Sequence, residues 1–555
     1  MLKKRFIPAA ILMLVLIVAT IACAAPATTP ASATTPKPAP TTTVAPAPVT
    51  TPKPAPATTA APAPTTGPQT GGTIKIIASP GVQNIGYPGK PFFPGDQGIG
   101  RCAYQYILNK NEKGEVVGEL ATDFKFSSDY KTLTLTLRKG VKFHDGTDFN
   151  ADAAIYNLNL HWKGIRSDLQ SVTSMDKVDD YTIRLNLKGY DASIFEGLQS
   201  LSGYIVSPTS LKTLGDEAML KPVGTGPFKF VSYQRDISMK FTRFDGYWEK
   251  GKPYVDNIEW VFIKDPVTQL ASFKAGEAQV MRGIDTASAL DLQAGGKFNM
   301  IKYPTQVRGI TGDGGHPDSI FANIKVRQAI AYAIDNAAIA KALGRGFFQP
   351  ATQWANPDAG GLTYNPAIVG YKYDPLKARQ LLTEAGYPTG FETKILLQST
   401  FPQPDMMTMV QAYLQEIGIR AKLDVADTGR FNEIAVKGWN NHLIYYWMSA
   451  AKGIDPASSI RSKMTKLASH YDPKSVYIPD SFHDKYMEAA SQPDPVKKVE
   501  LFKEVGRLAV DTYCIGIPIY VHYDFRPTVK EVNDFDMYLY GVNEWRPENA
   551  WLSKK

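Results

Sequence analysis

The chain has 555 residues, of which 44% are hydrophobic and 21% are charged. These proportions are those of a soluble globular protein, and they exclude a collagen-like, coiled-coil or multi-span membrane chain. The net charge is +8, but the first 70 residues hold five basic residues and no acidic one, so the rest of the chain carries only +3. A nearly neutral body with mixed signs lacks the basic surface that nucleic-acid binding requires.

The N-terminus has the pattern of an export signal. Basic residues at positions 3–5 precede an apolar run from Phe6 to Ile21, which ends in small residues around Cys23. This predicts a signal peptide over residues 1–22, too short for a permanent membrane span. The segment ending at Cys23 resembles a bacterial lipobox, in which the cysteine is lipidated, although that pattern prefers Leu where Thr20 stands. Cleavage by the general signal peptidase at the same small residues is the alternative.

Residues 23–71 consist mostly of Ala, Pro and Thr. Such a segment cannot bury a core and favours extended polyproline II, so it predicts a disordered, semi-rigid stalk. With a lipid on Cys23, the stalk would tether the body to the outer face of the cytoplasmic membrane, in the periplasm or at the cell surface. The composition also suits a plain secretion linker without a lipid.

Strands and helices alternate along the body. Thr73–Ala78 is a short β-rich run, and Leu133–Leu137 and Tyr181–Leu187 alternate apolar and polar residues as half-buried strands do. Apolar residues from Val326 to Ala337 recur at helical spacing and predict a core helix. Without an internal repeat, this mixture predicts an α/β fold.

A second helix is predicted with both of its ends. Asp374 can cap it, Pro375 suits its first position, and Gly386 suits its C-terminal end.

Residue types that carry catalysis or bind metals are scattered. The body has two cysteines, Cys102 and Cys514, which can form a long-range disulfide or remain two buried thiols. The seven histidines show no metal-ligand spacing, so no metal and no cofactor are predicted. His144 and Asp145 are adjacent and face opposite ways on an extended segment, which favours a structural role. No catalytic residue is predicted.

Several short segments together form a recognisable series. In chain order they are Leu137–Thr147 with Phe149–Ala151, Pro222–Phe228, Tyr247–Pro253, Ala275–Glu277, Val326–Asp335, Tyr373–Ala378, Glu384–Tyr387 and Ile515–Ile519. The series resembles the solute-binding proteins of oligopeptide and nickel ABC importers, extracellular solute-binding family 5. The resemblance covers residues 72–545.

The resemblance implies a periplasmic-binding-protein-like fold of class II, with two lobes that close around a ligand by a hinge. It implies a monomeric receptor, not an enzyme, that delivers a small organic solute (peptide, sugar or other) to an ABC permease with its ATPase subunits. The implied parts are lobe one at 72–307 and 523–555 with an extra subdomain near 115–205, lobe two at 308–522, and crossings near Val307–Thr311 and Ile519–Tyr523.

One segment departs from the peptide-binding members. Those carry Trp-x-x-Asp shortly before Asp-Pro, and the acid pairs with the ammonium group of the peptide. Here Trp447 and the pair Asp455-Pro456 match, but two extra residues separate them and Ala450 stands in place of the acid. A buried ammonium without a partner is costly. Either Asp455 replaces the acid in a peptide-binding protein, or the ligand has no free amine.

Aromatic residues near this segment are candidates for stacking on a planar ligand or a sugar ring: Trp439, Tyr445, Tyr446, Trp447 and, in a loop, Trp354. Alternate residues of a strand face opposite sides, so part of this set is expected in the core. Arg308, beside a predicted crossing, could neutralise an anionic ligand.

Two other classes of function compete with the receptor. A secreted cell-wall hydrolase would need a nucleophile or a carboxylate pair, and the sequence displays neither. A structural surface protein or adhesin would typically show repeats in the body.

Overall fold

The structure, a computed structural model, describes residues 67–90, 96–111, 115–164, 169–191, 193–357, 364–399, 404–450, 456–468, 473–536 and 545–553. The predicted signal peptide and the stalk up to residue 66, with Cys23, lie outside these residues, as does Asp455. Within the described ranges, none of the helices is both long enough and apolar enough to cross a membrane.

The strands are β1 Thr73–Ala78, β2 Gln105–Tyr106, β3 Leu108–Lys110, β4 Val116–Gly118, β5 Ala121–Phe126, β6 Thr132–Leu137, β7 Val172–Asp179, β8 Thr182–Leu187, β9 Tyr204–Ile205, β10 Phe228–Gln234, β11 Ser238–Arg243, β12 Asn257–Phe262, β13 Val280–Met281, β14 Phe298–Gly312, β15 Gln349–Pro350, β16 Glu392–Gln398, β17 Arg420–Ala426, β18 Leu443–Ser449, β19 Ile517–Val529, β20 Val532–Asn533 and β21 Trp551–Leu552.

The helices are α1 Gln97–Gly100, α2 Ala151–Trp162, α3 Ser193–Leu198, α4 Pro208–Leu214, α5 Pro266–Lys274, α6 Thr286–Ala294, α7 Ile324–Ala333, α8 Asn336–Gly344, α9 Pro375–Glu384, α10 Pro404–Glu416, α11 Thr428–Lys437, α12 Pro456–Met464, α13 Asp480–Ala490 and α14 Pro495–Arg507.

One 11-stranded sheet runs through the molecule in the order β10-β11-β12-β1-β13-β19-β14-β18-β16-β17, with β15 added on β19. At its centre, the 15 residues of β14 and the 13 residues of β19 pair in antiparallel fashion over almost their full length. Strands from the N-terminal half of the chain lie on one side of this pair, and β16, β17 and β18 lie on the other. The fold is therefore α/β with two lobes, joined by β14 and β19.

The parallel strands on both sides of the β14–β19 pair have their carboxyl ends near the middle of this pair. β1 runs parallel to β12 and β13, and β16 runs parallel to β17 and β18. β18 is antiparallel to β14 and ends with Ser449 opposite Gln306. β13 is antiparallel to β19, and the chain after it bridges from Ile284 to Phe525. The carboxyl ends of both parallel sets therefore point to the middle of β14 and β19, and such ends are where open α/β sheets bind ligands.

Separate hydrophobic cores stabilise the parts of the molecule. One core includes Ile74, Trp260 and Trp545, and another lies within residues 107–205 around the four-stranded sheet β5-β6-β8-β7. Two further cores pack helices on the sheet formed by β16, β17 and β18. A small apolar cluster at the crossing contains Val307, Ala450 and Val521, among others.

The strands predicted from alternation are present. Thr73–Ala78 is β1, and β6 alternates half-buried Thr with buried Leu along its whole length. β8 begins at Thr182, so Tyr181 precedes the strand.

The helix predicted from Val326 to Ala337 is interrupted, so the single-helix prediction is wrong. Helix α7 ends at Ala333, and Ile334 is extended (φ −100°, ψ 121°). The Asp335 carboxylate then accepts a hydrogen bond from the Ala338 N–H (2.9 Å) and caps the next helix, α8. Apolar spacing continues through the break because both helices bury residues in the same core.

Helix α9 has the predicted ends. The Asp374 carboxylate accepts a hydrogen bond from the Lys377 N–H (2.9 Å), Pro375 is the first helical residue, and Gly386 follows the helix with φ +91°.

His144 joins two of the family-like segments. Its Nε2 donates to the Gly226 carbonyl (2.9 Å), and its Nδ1 faces the Gly224 N–H (3.4 Å). Burial lowers the pKa of His144 to about 4, so the ring is neutral. A side chain at Gly224 would collide with the Ala103 backbone, which explains the glycine. His144 is therefore a structural residue.

The two cysteines of the body are both buried and free. Cys102 lies in the core with Trp260, and Cys514 lies in the core with Leu443. The disulfide alternative is therefore absent from the structure.

Candidate functional site

Arg308 occupies the middle of the crossing. In the sheet register it lies opposite Trp447 of β18 on one side and Tyr520 of β19 on the other. Residues directly opposite each other project from the same face of a sheet, so these three side chains share a face. Two residues earlier, Gln306 lies opposite Ser449 and His522 on the same face.

The guanidinium of Arg308 lies among polar groups. Its Nε donates to the Gln306 side-chain oxygen (3.2 Å). Burial works against the charge, but Tyr445, Tyr520 and the Asp524 carboxylate together outweigh it, so the pKa of Arg308 is raised. Arg308 is therefore a permanent positive charge at the carboxyl end of β18.

His522 and Asp524 follow on β19. The Thr305 hydroxyl and His522 Nδ1 are 3.0 Å apart, and Asp524 Oδ1 lies 3.5 Å from the same nitrogen. Burial, with Arg308 close by, holds the pKa of His522 well below its ordinary value, so the ring is neutral. Burial also raises the pKa of Asp524, although three arginines oppose this: Arg308, Arg526 and Arg282. Three arginine side chains therefore act on this one carboxylate.

Trp447, a candidate from the sequence, is half-buried and carries a cation on its ring. Lys463 Nζ of helix α12 lies 3.7 Å from the centroid of the Trp447 ring. Only 4% of the Lys463 side chain is exposed. Burial lowers the pKa of Lys463 to about 7.

The other aromatic candidates separate by strand face. Tyr445 shares the face of Trp447 and is buried in the core of β16–β18, against which Trp447 also packs. Burial raises the pKa of Tyr445 to about 12. Tyr446 and Trp439 lie fully buried in the core on the opposite face. The indole nitrogen of Trp439 donates to the Ala435 carbonyl (3.1 Å). Tyr446 and Trp439 occupy the positions of core residues.

Trp354 also lies on the face opposite Arg308. Its ring packs edge-on against Tyr446, with centroids 5.3 Å apart. Side chains at Gly309 or Gly516 would come within 2.9 Å of this indole, so both glycines make room for it. Trp354 therefore packs against the crossing strands on the face opposite Arg308.

Ala450, which stands where peptide binders carry an acid, lies at the crossing. Its N–H donates to the Thr305 carbonyl (2.9 Å), and its own carbonyl accepts from the Asn356 amide (3.4 Å). Ala450 is 4% exposed and belongs to the small apolar cluster at the crossing. No charge occupies this position, and Asp455 lies outside the described residues.

Helix α12 also contacts the part of the molecule that contains the core of residues 107–205. Arg461 Nη1 lies 3.4 Å from the Asp191 carboxylate and 3.3 Å from the Ser193 hydroxyl, and Nη2 lies 3.2 Å from the Gln170 amide oxygen. A cavity of about 350 Å³ borders this contact, with Tyr190 and Tyr486 in its walls.

Sequence reasoning missed Lys463 and Arg461. A signal for Lys463 was present, because Ile460, Lys463 and Met464 have the spacing of one helical face and all three are buried. A lysine on the apolar face of a short helix marks either a snorkelling stem or a buried charge.

Comparisons with known proteins agree with this architecture. The model of the bacterial extracellular solute-binding proteins, family 5 Middle, matches residues 115–466. The chain is 32% identical over 367 residues to the glutathione-binding protein GsiB of Pectobacterium atrosepticum. The aligned region covers 64% of this chain and 71% of that protein.

Solved structures share the fold. The ABC transporter-associated periplasmic binding protein DppA from Helicobacter pylori, in complex with peptide STSA, superposes with a TM-score of 0.74 at 24% identity, over 88% of this chain and 99% of that one. The agropinic acid complex of AgaA from A. tumefacien R10 gives 0.72 at 24% identity, over 87% and 99%. The predicted periplasmic-binding-protein-like fold is confirmed, and the chain belongs to the bacterial extracellular solute-binding proteins of family 5.

Proposed function

We propose that this protein is the receptor of an ABC importer, which captures a small organic solute between its lobes and hands it unchanged to a membrane permease with its ATPase subunits. The proposal assigns residues 72–307 and 523–555 to lobe one and residues 308–522 to lobe two. In this proposal the protein acts as a monomer and catalyses no chemical step.

The observation that carries the proposal is the convergence of both lobes on one crossing. The parallel strands of each lobe end at the middle of β14 and β19. At that point Arg308 and the half-buried Trp447 lie opposite each other. An aromatic ring and a fixed cation suit a small organic solute with planar and anionic groups.

The ligand of the relative GsiB is consistent with such a solute. Glutathione, which names that relative, is a small organic anion with amide bonds, and it also carries a free amino group, so it supports the anionic character of the solute alone. For this chain the absence of an acid at Ala450 disfavours recognition of an ordinary peptide ammonium. We therefore expect an anionic solute that does not depend on a free amine.

The test of this function is closure without chemistry. The protein is incubated with the fraction of yeast extract below 1 kDa, washed, and analysed by native mass spectrometry and solution scattering. We expect a retained small molecule, a smaller radius of gyration and a higher melting temperature. Chemical conversion of the retained molecule, or retention of none, would contradict the proposal.

The proposal also includes the attachment of the protein to the membrane. We propose that Cys23 carries a lipid and that the Ala/Pro/Thr-rich segment tethers the body outside the cytoplasmic membrane. A Cys23→Ser protein, expressed in its native host, should then move from the membrane fraction to the soluble exported fraction. Co-sedimentation of Cys23→Ser with membranes, as for the unmodified protein, would contradict lipidation at this residue.

A further inference from the structure

Helix α12 holds a buried charge against β18. The Lys463 side chain is 4% exposed, and its ammonium lies over the Trp447 ring at 3.7 Å from the centroid. Among the residues that the structure describes, no carboxylate forms an ion pair with it. The ring of Trp447 is the partner recorded for this ammonium.

A cation–π contact returns less free energy than an ammonium loses when it leaves water. A lysine that serves only to pack would direct its ammonium to solvent, because its long stem allows snorkelling. Lys463 instead directs its charge inward, at the carboxyl end of β18. Within the described residues, the ammonium of Lys463 therefore has no counter-ion.

A second unpartnered polar group lies on the same seam between β18 and α12. The Ser449 N–H contacts the Ser459 hydroxyl (3.3 Å). Ser459 precedes Lys463 by one helical turn, and Ser449 follows Trp447 on the same face of β18. The two contacts are therefore successive along the seam. The Ser449 hydroxyl is buried, and within the described chain it has no hydrogen-bond partner.

We propose that Lys463 and the Ser449 hydroxyl bind a carboxylate of the transported solute beside the Trp447 ring. One ammonium and one hydroxyl supply the donors that a planar, singly charged carboxylate accepts. The inference rests on the proposed function and adds the anionic group that the solute must carry.

The lowered pKa of Lys463 is consistent with an anion-binding site. Burial lowers its pKa to about 7, and no acid among the described residues compensates for this. A bound carboxylate would restore the ordinary preference for the charged form.

The experiment compares Lys463→Met, Lys463→Arg and the unmodified protein, with Lys466→Met as the matched control. Lys466 is a nearby lysine, 49% exposed and paired with Asp480. Each protein is incubated with the fraction of yeast extract below 1 kDa, washed, and its bound molecules are identified by mass spectrometry. Calorimetry then measures the affinity of each protein for the retained compound and for its carboxyl ethyl ester.

The unmodified protein and Lys466→Met should retain a carboxylate, and Lys463→Met should bind it at least tenfold more weakly. Lys463→Arg should bind more tightly than Lys463→Met. Esterification should weaken binding to the unmodified protein at least tenfold but change the affinity of Lys463→Met by less than threefold. Without solute, Lys463→Met should melt at the same or a higher temperature, because it removes an uncompensated charge.

Equal binding of the carboxylate by Lys463→Met would overturn the subsite, as would retention of an uncharged solute or a lower melting temperature of solute-free Lys463→Met. In each of the first two cases the receptor function would stand, but an uncharged solute would also refute the expected anionic ligand. Retention of nothing by the unmodified protein would overturn the proposed function and the subsite together.

Discussion

Arg461 of α12 and Asp191, which precedes α3, form an ion pair that joins residues 270 positions apart in the chain, with 3.4 Å between Nη1 and Oδ2. Ser193 and Gln170 accept further hydrogen bonds from the same guanidinium. Because α12 also carries Lys463, one helix contacts both the part of the molecule that holds Asp191 and the candidate ligand site. On the proposed lobe assignment this ion pair joins the two lobes, and Arg461 stabilises the arrangement in which they meet.

Arg461→Gln should loosen the contact between the lobes. Both charged side chains are about one-fifth exposed, so the loss should be about 0.5–1 kcal/mol of closing free energy. We expect a larger radius of gyration in solution scattering and about two- to fivefold weaker solute binding. Arg430→Gln, which removes an ion pair with Asp424 inside one lobe, should leave both unchanged. Equal scattering curves for Arg461→Gln and the unmodified protein would refute this role.

Ordinary short peptides should bind poorly. The ammonium of a free peptide at Ala450 would lose water and gain no counter-charge, at a cost of about 3–5 kcal/mol, or about two to four decades in affinity. Calorimetry with unmodified alanine di- to pentapeptides should give dissociation constants weaker than about 0.1 mM. Micromolar binding that disappears on N-acetylation, and again in Asp455→Asn, would show that Asp455 replaces the missing acid.

Trp447 and Trp439 should respond differently to truncation. Trp447→Ala removes a half-buried ring at the crossing and should weaken solute binding by about 1–2 kcal/mol. Trp439 is fully buried, so Trp439→Ala should lower the free energy of unfolding by about 3–5 kcal/mol. Calorimetry and urea unfolding separate the two effects. Unchanged solute affinity in Trp447→Ala would remove this residue from the site.

The buried ammonium should make stability depend on pH. The pKa of Lys463 is about 7 in the folded protein against an ordinary value of 10.5. Between these values the unfolded chain binds more protons, so stability should rise with pH from about 7 to about 10.5. Urea unfolding at pH 6, 7.5 and 9 should show the stability advantage of Lys463→Met shrinking as pH rises. An advantage that is constant over this range would contradict the shifted pKa.

Solute affinity should change with pH in the opposite direction. Above about pH 7 the free site loses its proton, and binding of a carboxylate must take one up. Affinity measured by calorimetry should therefore fall between pH 7 and 9 in the unmodified protein. In Lys463→Met this fall should be absent.

The sequence by itself determined the local elements. The cap at Asp374, the proline after it and the glycine at 386 act within a few residues, and the alternation of β6 follows from one buried face. Periodicity was misleading at Ile334, because two helices that share a core keep the same apolar spacing through a break. The turn at Gly224–Pro227 is accessible to sequence reasoning from its glycines and its proline, and in the structure His144 and Ala103 contact it.

Only the tertiary structure decided which candidates meet. Trp447 faces Arg308 because of the register between β18 and β14, strands far apart in the chain, and a shift of one residue would exchange it with Tyr446. Burial of the Lys463 charge depends on how α12 packs on β18, which helical spacing alone does not reveal. Local patterns identify residue types and elements, whereas long-range pairing assigns each side chain to the core or to the site.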